Sequence, residues 1–137
     1  MNTKDMDTAR KVAAVREYMS QLNGTEDMYR HGLLPDFLYT DGALFVADTC
    51  GAHWLIDLIA SWQVRPRVRA EPFQVWTLDF REPLSCGQKV VFCTDGDRGP
   101  GSIEVARQVV PYSDFPSDLL PFVFWVENRT LMLPGER

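Results

Sequence analysis

Cys50 and His53 stand as Cys-x-x-His, and two further thiols, Cys86 and Cys93, follow later in the chain. Three thiolates and one imidazole would make a tetrahedral zinc centre. The spacing argues against it. Cys86 and Cys93 are separated by six residues across an expected loop-to-strand junction, whereas zinc knuckles hold their paired thiolates on one tight turn. Cys93 also falls in a β-like run, where a small thiol packs well as a core residue. No metal and no cofactor are therefore expected. The same Cys50/His53 pair could instead form a nucleophile and its base, because a thiol near a helix start gains thiolate character. But His53 would share the first turn with the cysteine, a poor position for a general base, and no glycine-rich nucleophile turn surrounds Cys50. No catalytic residue is assigned. A small enzyme or ligand-binding domain built on the Cys50/His53 region is kept as the alternative reading.

The remaining candidates have plainer explanations. Asp41 suits a turn and Asp48 a helix cap, although two such carboxylates could do acid–base work. Asp95-Gly-Asp-Arg-Gly-Pro-Gly lacks the lysine-serine ending of a phosphate-binding loop and the ligand order of a calcium loop. Arg65, Arg67 and Arg69 read as a solvated edge whose charge opposes aggregation, with an anionic partner as the second possibility. His31 lies in a loop with Tyr29 and Arg30.

These residues need elements to hold them. From Thr3 to Leu22, Val12, Val15, Met19 and Leu22 recur at helical spacing, and Asn23-Gly24 ends the helix. Thr25 to Asp36 reads as a loop. Phe37–Tyr39 and Ala43–Ala47 read as two short strands about an Asp41-Gly42 hairpin turn. Gly51 to Gln63 predicts a second helix, capped by Asp48 or Thr49. Its stripe of Trp54, Leu55, Leu58, Ile59 and Trp62 is expected to pack on the sheet, with Trp76 and Trp125 as partners. Pro66 makes the segment from Val64 to Glu71 an edge or a linker. Strands are expected at Phe73–Phe80, Lys89–Thr94 and Ile103–Val110, then a closing hairpin of Phe122–Val126 and Arg129–Leu133 about Glu127-Asn128. A short helical turn is expected at Ser117–Leu120. The fold class is α+β: two helices packed on a curved, mostly antiparallel sheet of six or seven strands.

The 137 residues, 45% of them hydrophobic and 24% charged, fit one domain, with residues 1–24 as an N-terminal helix and 25–137 as the α+β core. No run approaches the length of a membrane span. The net charge of −5 repels phosphate backbones, so direct binding of nucleic acid or an anionic membrane is not expected. The polar, charged N-terminus lacks the apolar core of a signal peptide, which points to the cytoplasm and reduced thiols.

Several segments occur in a recognisable order: Tyr29-Arg30-His31, Phe37-Leu38-Tyr39-Thr40-Asp41-Gly42, Ala47-Asp48, Gly51 through Asp57, Phe73-Gln74-Val75-Trp76 and Ser113-Asp114-Phe115-Pro116. Together, over roughly Thr25 to Pro134, they resemble a bacterial family of small proteins of unknown function. Its members are often carried on plasmids, prophages and other mobile elements. The resemblance supplies no catalytic residues. It implies a setting in which small accessory and counter-defence proteins are common.

Small size, acidic charge and that setting lead to one expectation. The chain is a non-catalytic interaction protein that binds a host protein complex and modulates or blocks it, as an anti-CRISPR protein does. The contact surface is expected in the Thr25–Asp36 loop, where Glu26, Asp27 and Asp36 accompany Met28 and Tyr29. A homodimer paired through a sheet edge is a further possibility.

Overall fold

The computed structural model describes residues 3–22, 24, 27–80, 88–95, 102–111 and 113–136. Glu26, Cys86 and the 96–101 glycine loop, all singled out above, lie outside the described residues. Helix α1 (Thr3–Ser20) presents the face its periodicity predicts: Val12 and Val15 are buried, and Met19 and Leu22 pack beside them.

The next element corrects an expectation. Ala43–Ala47 is not a strand and Asp41-Gly42 is not a hairpin turn; both belong to helix α2 (Asp41–Cys50). Ala43, Val46, Ala47 and Cys50 are all buried, and their spacing puts them on one helical face. The Thr40 hydroxyl caps the start by accepting from the Ala43 N–H at 3.2 Å, and Asp41 places negative charge at the positive end of the helix dipole. Gly51, at φ 63°, closes it in the left-handed conformation that a side chain disfavours.

Helix α3 (His53–Trp62) follows at once. Its cap position is Ala52, without a side-chain bond, so neither Asp48 nor Thr49 caps it as expected. Its buried face is Leu55, Ile56, Ile59 and Ala60, while Trp54, Leu58 and Trp62 flank the core half-buried. The smaller side chains let the helix approach its neighbours closely. Trp62 instead reaches the sheet's edge, where its indole N–H donates to Gln108 Oε1 at 2.8 Å. The arginine segment is neither a strand nor a linker but a one-turn helix, α4 (Pro66–Arg69). Proline occupies its first position, where no N–H is missed, and Val68 anchors it in the core. Among the described residues four helices thus replace the expected two.

Among the described residues the sheet has seven strands: β1 (Met28–Arg30), β2 (Leu38–Thr40), β3 (Phe73–Phe80), β4 (Lys89–Thr94), β5 (Glu104–Val110), β6 (Phe122–Glu127) and β7 (Thr130–Met132). Their spatial order is β1-β2-β7-β6-β3-β4-β5, antiparallel except where β2 meets β7. The fold is therefore α+β, as expected. β1 lies within the segment read as a loop, and the β6–β7 turn falls at Asn128-Arg129, both at positive φ. A 3₁₀ turn occupies Ser117–Leu119. Trp76 and Leu78 of β3 are buried beside Cys93, Phe124 and Phe122, their register partners or neighbours. Phe73, Val75 and Thr77 alternate to the opposite face and stay half-buried, with Phe73 against Trp125 at 5.4 Å. Gln74 brings polarity into this core and is fully satisfied. Its amide pairs reciprocally with Gln63 at 2.8 and 3.0 Å and accepts from the Trp76 indole at 2.8 Å, tying α3 to β3. At the β5 edge the register shifts beside Thr94, which puts Glu104 and Arg107 on one face, where they form an ion pair. A bulge and a charged pair are devices that discourage edge-to-edge association.

The C-terminal segment closes the fold. Glu136 is 4% exposed, and its carboxylate accepts from the Thr40 hydroxyl at 2.6 Å, the Leu133 N–H at 2.9 Å and the Gly42 N–H at 3.1 Å. A Cβ on Gly42 would lie 2.6 Å from the Glu136 Cδ, so only glycine admits the carboxylate there. Gly42→Ala is expected to destabilise the protein by about 2–3 kcal/mol, because it expels a buried, multiply bonded charge. Adding Glu136→Ala to that variant should cost little more. Denaturant unfolding of the two single variants and the double variant measures the coupling; full additivity would show that the two residues act separately.

Candidate functional site

The tip of the β1–β2 hairpin is fixed by one histidine. The His31 N–H bonds the Phe37 carbonyl at 2.9 Å, and the imidazole Nδ1 accepts from the N–H groups of Leu33 and Leu34, each at 3.2 Å. Backbone N–H groups only donate, so Nδ1 carries no proton and the proton resides on Nε2. Nε2 in turn donates to Asp57 Oδ1 at 2.8 Å. Both nitrogens of His31 are occupied, and the residue is 8% exposed. It is a positioning residue that joins the hairpin to α3.

His53 is different. It is exposed on the first turn of α3, and its Nε2 donates to Asp48 Oδ1 at 2.6 Å, across the α2–α3 junction. Its Nδ1 has no partner among the described residues. His53 and Asp57 lie four residues apart on the helix, hence on one face. They line a cleft of about 280 Å³ together with His31, Gly32, Leu33, Tyr39 and Ile56.

At the start of α2, Asp41 holds β1 in place. Its carboxylate accepts from the Asp27 N–H at 3.1 Å and from the Tyr29 hydroxyl at 3.0 Å, and the latter bond raises the Tyr29 pKa. The Tyr29 ring stacks on Tyr39 at 5.7 Å. Of the residues expected to form a contact surface, Tyr29 therefore borders the cleft. Met28, 54% exposed, falls on the other face of β1 by strand alternation. Asp27 is exposed beside them, and Asp36 pairs with Arg129 at 3.1 Å. Leu33, 87% exposed, borders the cleft as well and carried no sequence signal. The His31–Asp57 pair was also missed. Helix geometry would set His53 and Asp57, four residues apart, side by side, a signal the sequence reading did not use, and nothing local links them to His31.

Cys50 and His53 are not brought together as nucleophile and base. Cys50 faces the core from the end of α2, where burial pushes its thiol up to about 11, while His53 turns outward to Asp48. Burial likewise pushes Cys93 up to about 12. Among the described residues no group of three or more His, Cys, Asp or Glu side chains could hold a metal. The three arginines of the α4 segment are exposed, and Arg65 lies over the Trp62 ring at 5.3 Å.

The thiols yield a prediction with a defined sign. Their folded pKa values exceed the ordinary value of 9.0, so the stabilisation from keeping them neutral is complete below that pH. It declines as pH rises from there through about 11 and about 12. Unfolding midpoints measured across this alkaline range should fall less steeply for a Cys50→Ala/Cys93→Ala variant than for the wild type. At neutral pH, peptide mapping after brief alkylation of the folded protein should find both thiols unmodified. Rapid labelling of Cys50 would contradict its burial in the core.

No helix among the described residues is long and apolar enough to cross a membrane. No curated protein and no solved structure gives a match to the chain. A family model does match, over residues 13–137, which extends the similarity into the first helix. On that match, the chain belongs to a family of unknown function, DUF6876.

Proposed function

We propose that this protein is a non-catalytic interaction module that binds a host protein complex and modulates or blocks it. The observation that carries the reading is the surface around the β1–β2 hairpin. Tyr29 and the projecting Leu33 stand beside a cleft that Asp57 lines, and Asp27 and Asp36 are exposed on the segments flanking β1. Exposed large apolar side chains set among acidic groups suit a partner with a basic, pocketed surface. Of the reactive groups nearby, His31 is engaged by its three ring hydrogen bonds and Cys50 is withdrawn by burial, while His53 stays exposed with Asp48 on its Nε2. Homodimer formation through the β5 edge is the weaker fit, given its bulge and ion pair.

Leu33→Asp tests this reading with little risk to the fold, because the side chain has almost no contacts to lose. Affinity capture from host cells with tagged wild-type protein should retain a partner that the Leu33→Asp variant releases at an unchanged thermal midpoint and that the folded fraction of the Tyr29→Ala variant releases as well. Retention by both variants would move the contact surface elsewhere.

The finer form of the proposal is counter-defence on mobile elements, in keeping with the resemblance noted from the sequence. Producing the protein in cells with active CRISPR interference should raise the plating efficiency of a targeted phage. Unchanged plating with folded protein present rejects that form and leaves the interaction module standing.

A further inference from the structure

We infer that the cleft between the β1–β2 hairpin and α3 is a socket for an arginine side chain presented by the protein partner. The inference rests on the interaction reading above and names the chemistry of the same site. It follows from what the cleft has left to offer once its internal hydrogen bonds are counted. The His31 proton is engaged by Asp57 Oδ1, and its lone pair by two backbone N–H groups. The His53 Nε2 proton is engaged by Asp48, which in the neutral ring leaves Nδ1 as a lone pair. Asp57 accepts through Oδ1, and its Oδ2 has no partner among the described residues. The Tyr39 hydroxyl has none there either. The unfilled positions are thus acceptors, apart from one hydroxyl that can act in either sense. A donor-rich cation satisfies such a site, whereas an anion meets no free N–H donor among these side chains.

Shape narrows the choice. A cleft of about 280 Å³ lies at the lower end of small-molecule pockets, roughly 300–1,000 Å³, a size that a single long side chain can occupy. Guanidinium is planar and carries five N–H donors, so it can bond a carboxylate oxygen while lying along an aromatic ring. Asp57 and Tyr39 supply that pair, and Leu33 and Ile56 supply apolar contact for the methylene stem.

The test needs no partner. N-acetyl-arginine amide is titrated into the full chain while the ring resonances of His53 and Tyr39 are followed by NMR, with the uncharged isostere N-acetyl-citrulline amide as control. The arginine probe should move both rings saturably and bind at least about tenfold more tightly than the citrulline probe, a difference of about 1.4 kcal/mol. Asp57→Asn should lose that preference at an unchanged thermal midpoint, because the asparagine oxygen can still accept from His31 Nε2. Equal binding of the two probes, undiminished binding to Asp57→Asn, or no saturable shift would overturn the socket. Partner capture that persists in the wild type alongside such a failure removes the socket alone. Binding of the probe with capture insensitive to Leu33→Asp and Tyr29→Ala removes the proposed contact surface and leaves the socket.

Discussion

The carboxylate of Glu136 sits where the last stretch of chain meets the first turn of α2, bonded to a threonine hydroxyl and two backbone N–H groups. A helix start concentrates unpaired N–H groups and positive potential, so an anion there is stabilised by both. Burial strengthens the dependence, because the site has little water to replace a lost partner. Thr40 serves twice, donating to Glu136 and accepting from Ala43. The same threonine ends β2, so one cluster fixes the strand, the helix and the chain's closing segment relative to one another.

The cleft inherits its geometry from that cluster. β2 carries Tyr39, the residue before Thr40, and α2 delivers Asp48 to the junction where it meets His53. α3 then carries His53 and Asp57 on one face, and Asp57 returns to the hairpin through His31. The loop of connections is closed: hairpin to α3 through an imidazole, α3 to α2 through a second imidazole, α2 back to β2 through the threonine cap. Each link is a directional bond, which is why a shallow surface feature can hold its polar groups in a fixed arrangement.

The two histidines show how hydrogen-bond partners set the role of one side chain type. Each donates Nε2–H to an aspartate. His31 is also engaged at Nδ1 and is buried, so it serves architecture; His53 is exposed and keeps one nitrogen open. The thiols divide along a different line. Desolvation removes Cys50 and Cys93 from nucleophilic chemistry, whatever motif surrounds them. The Cys-x-x-His spacing is thus a by-product of a helix end followed by a helix start, with its two residues facing opposite ways.

The sequence by itself determined the α+β class, the first helix, the long alternating strands and the apolar character of α3, because each is written in a local period that one face of solvent or core enforces. It was misleading over Ala43–Ala47, where a short apolar run beside the Asp41-Gly42 pair read as a strand after a tight turn, although the segment belongs to a ten-residue helix. At its start the Gly42 N–H donates to a glutamate 94 residues away, a contact that no local pattern records. Tertiary packing likewise chose which stripe of α3 is buried, since Leu55, Ile56, Ile59 and Ala60 let the helix lie close where tryptophans would hold it off. The cleft was legible only in part. The i,i+4 placement of His53 and Asp57 followed from helix geometry, but His31, 26 residues from its partner Asp57, is joined to it by the fold alone. Short-range periods record which face of an element is buried. Long-range hydrogen bonds between elements leave no such record, so the fold class could be read from the chain, whereas the site depends on how its elements meet.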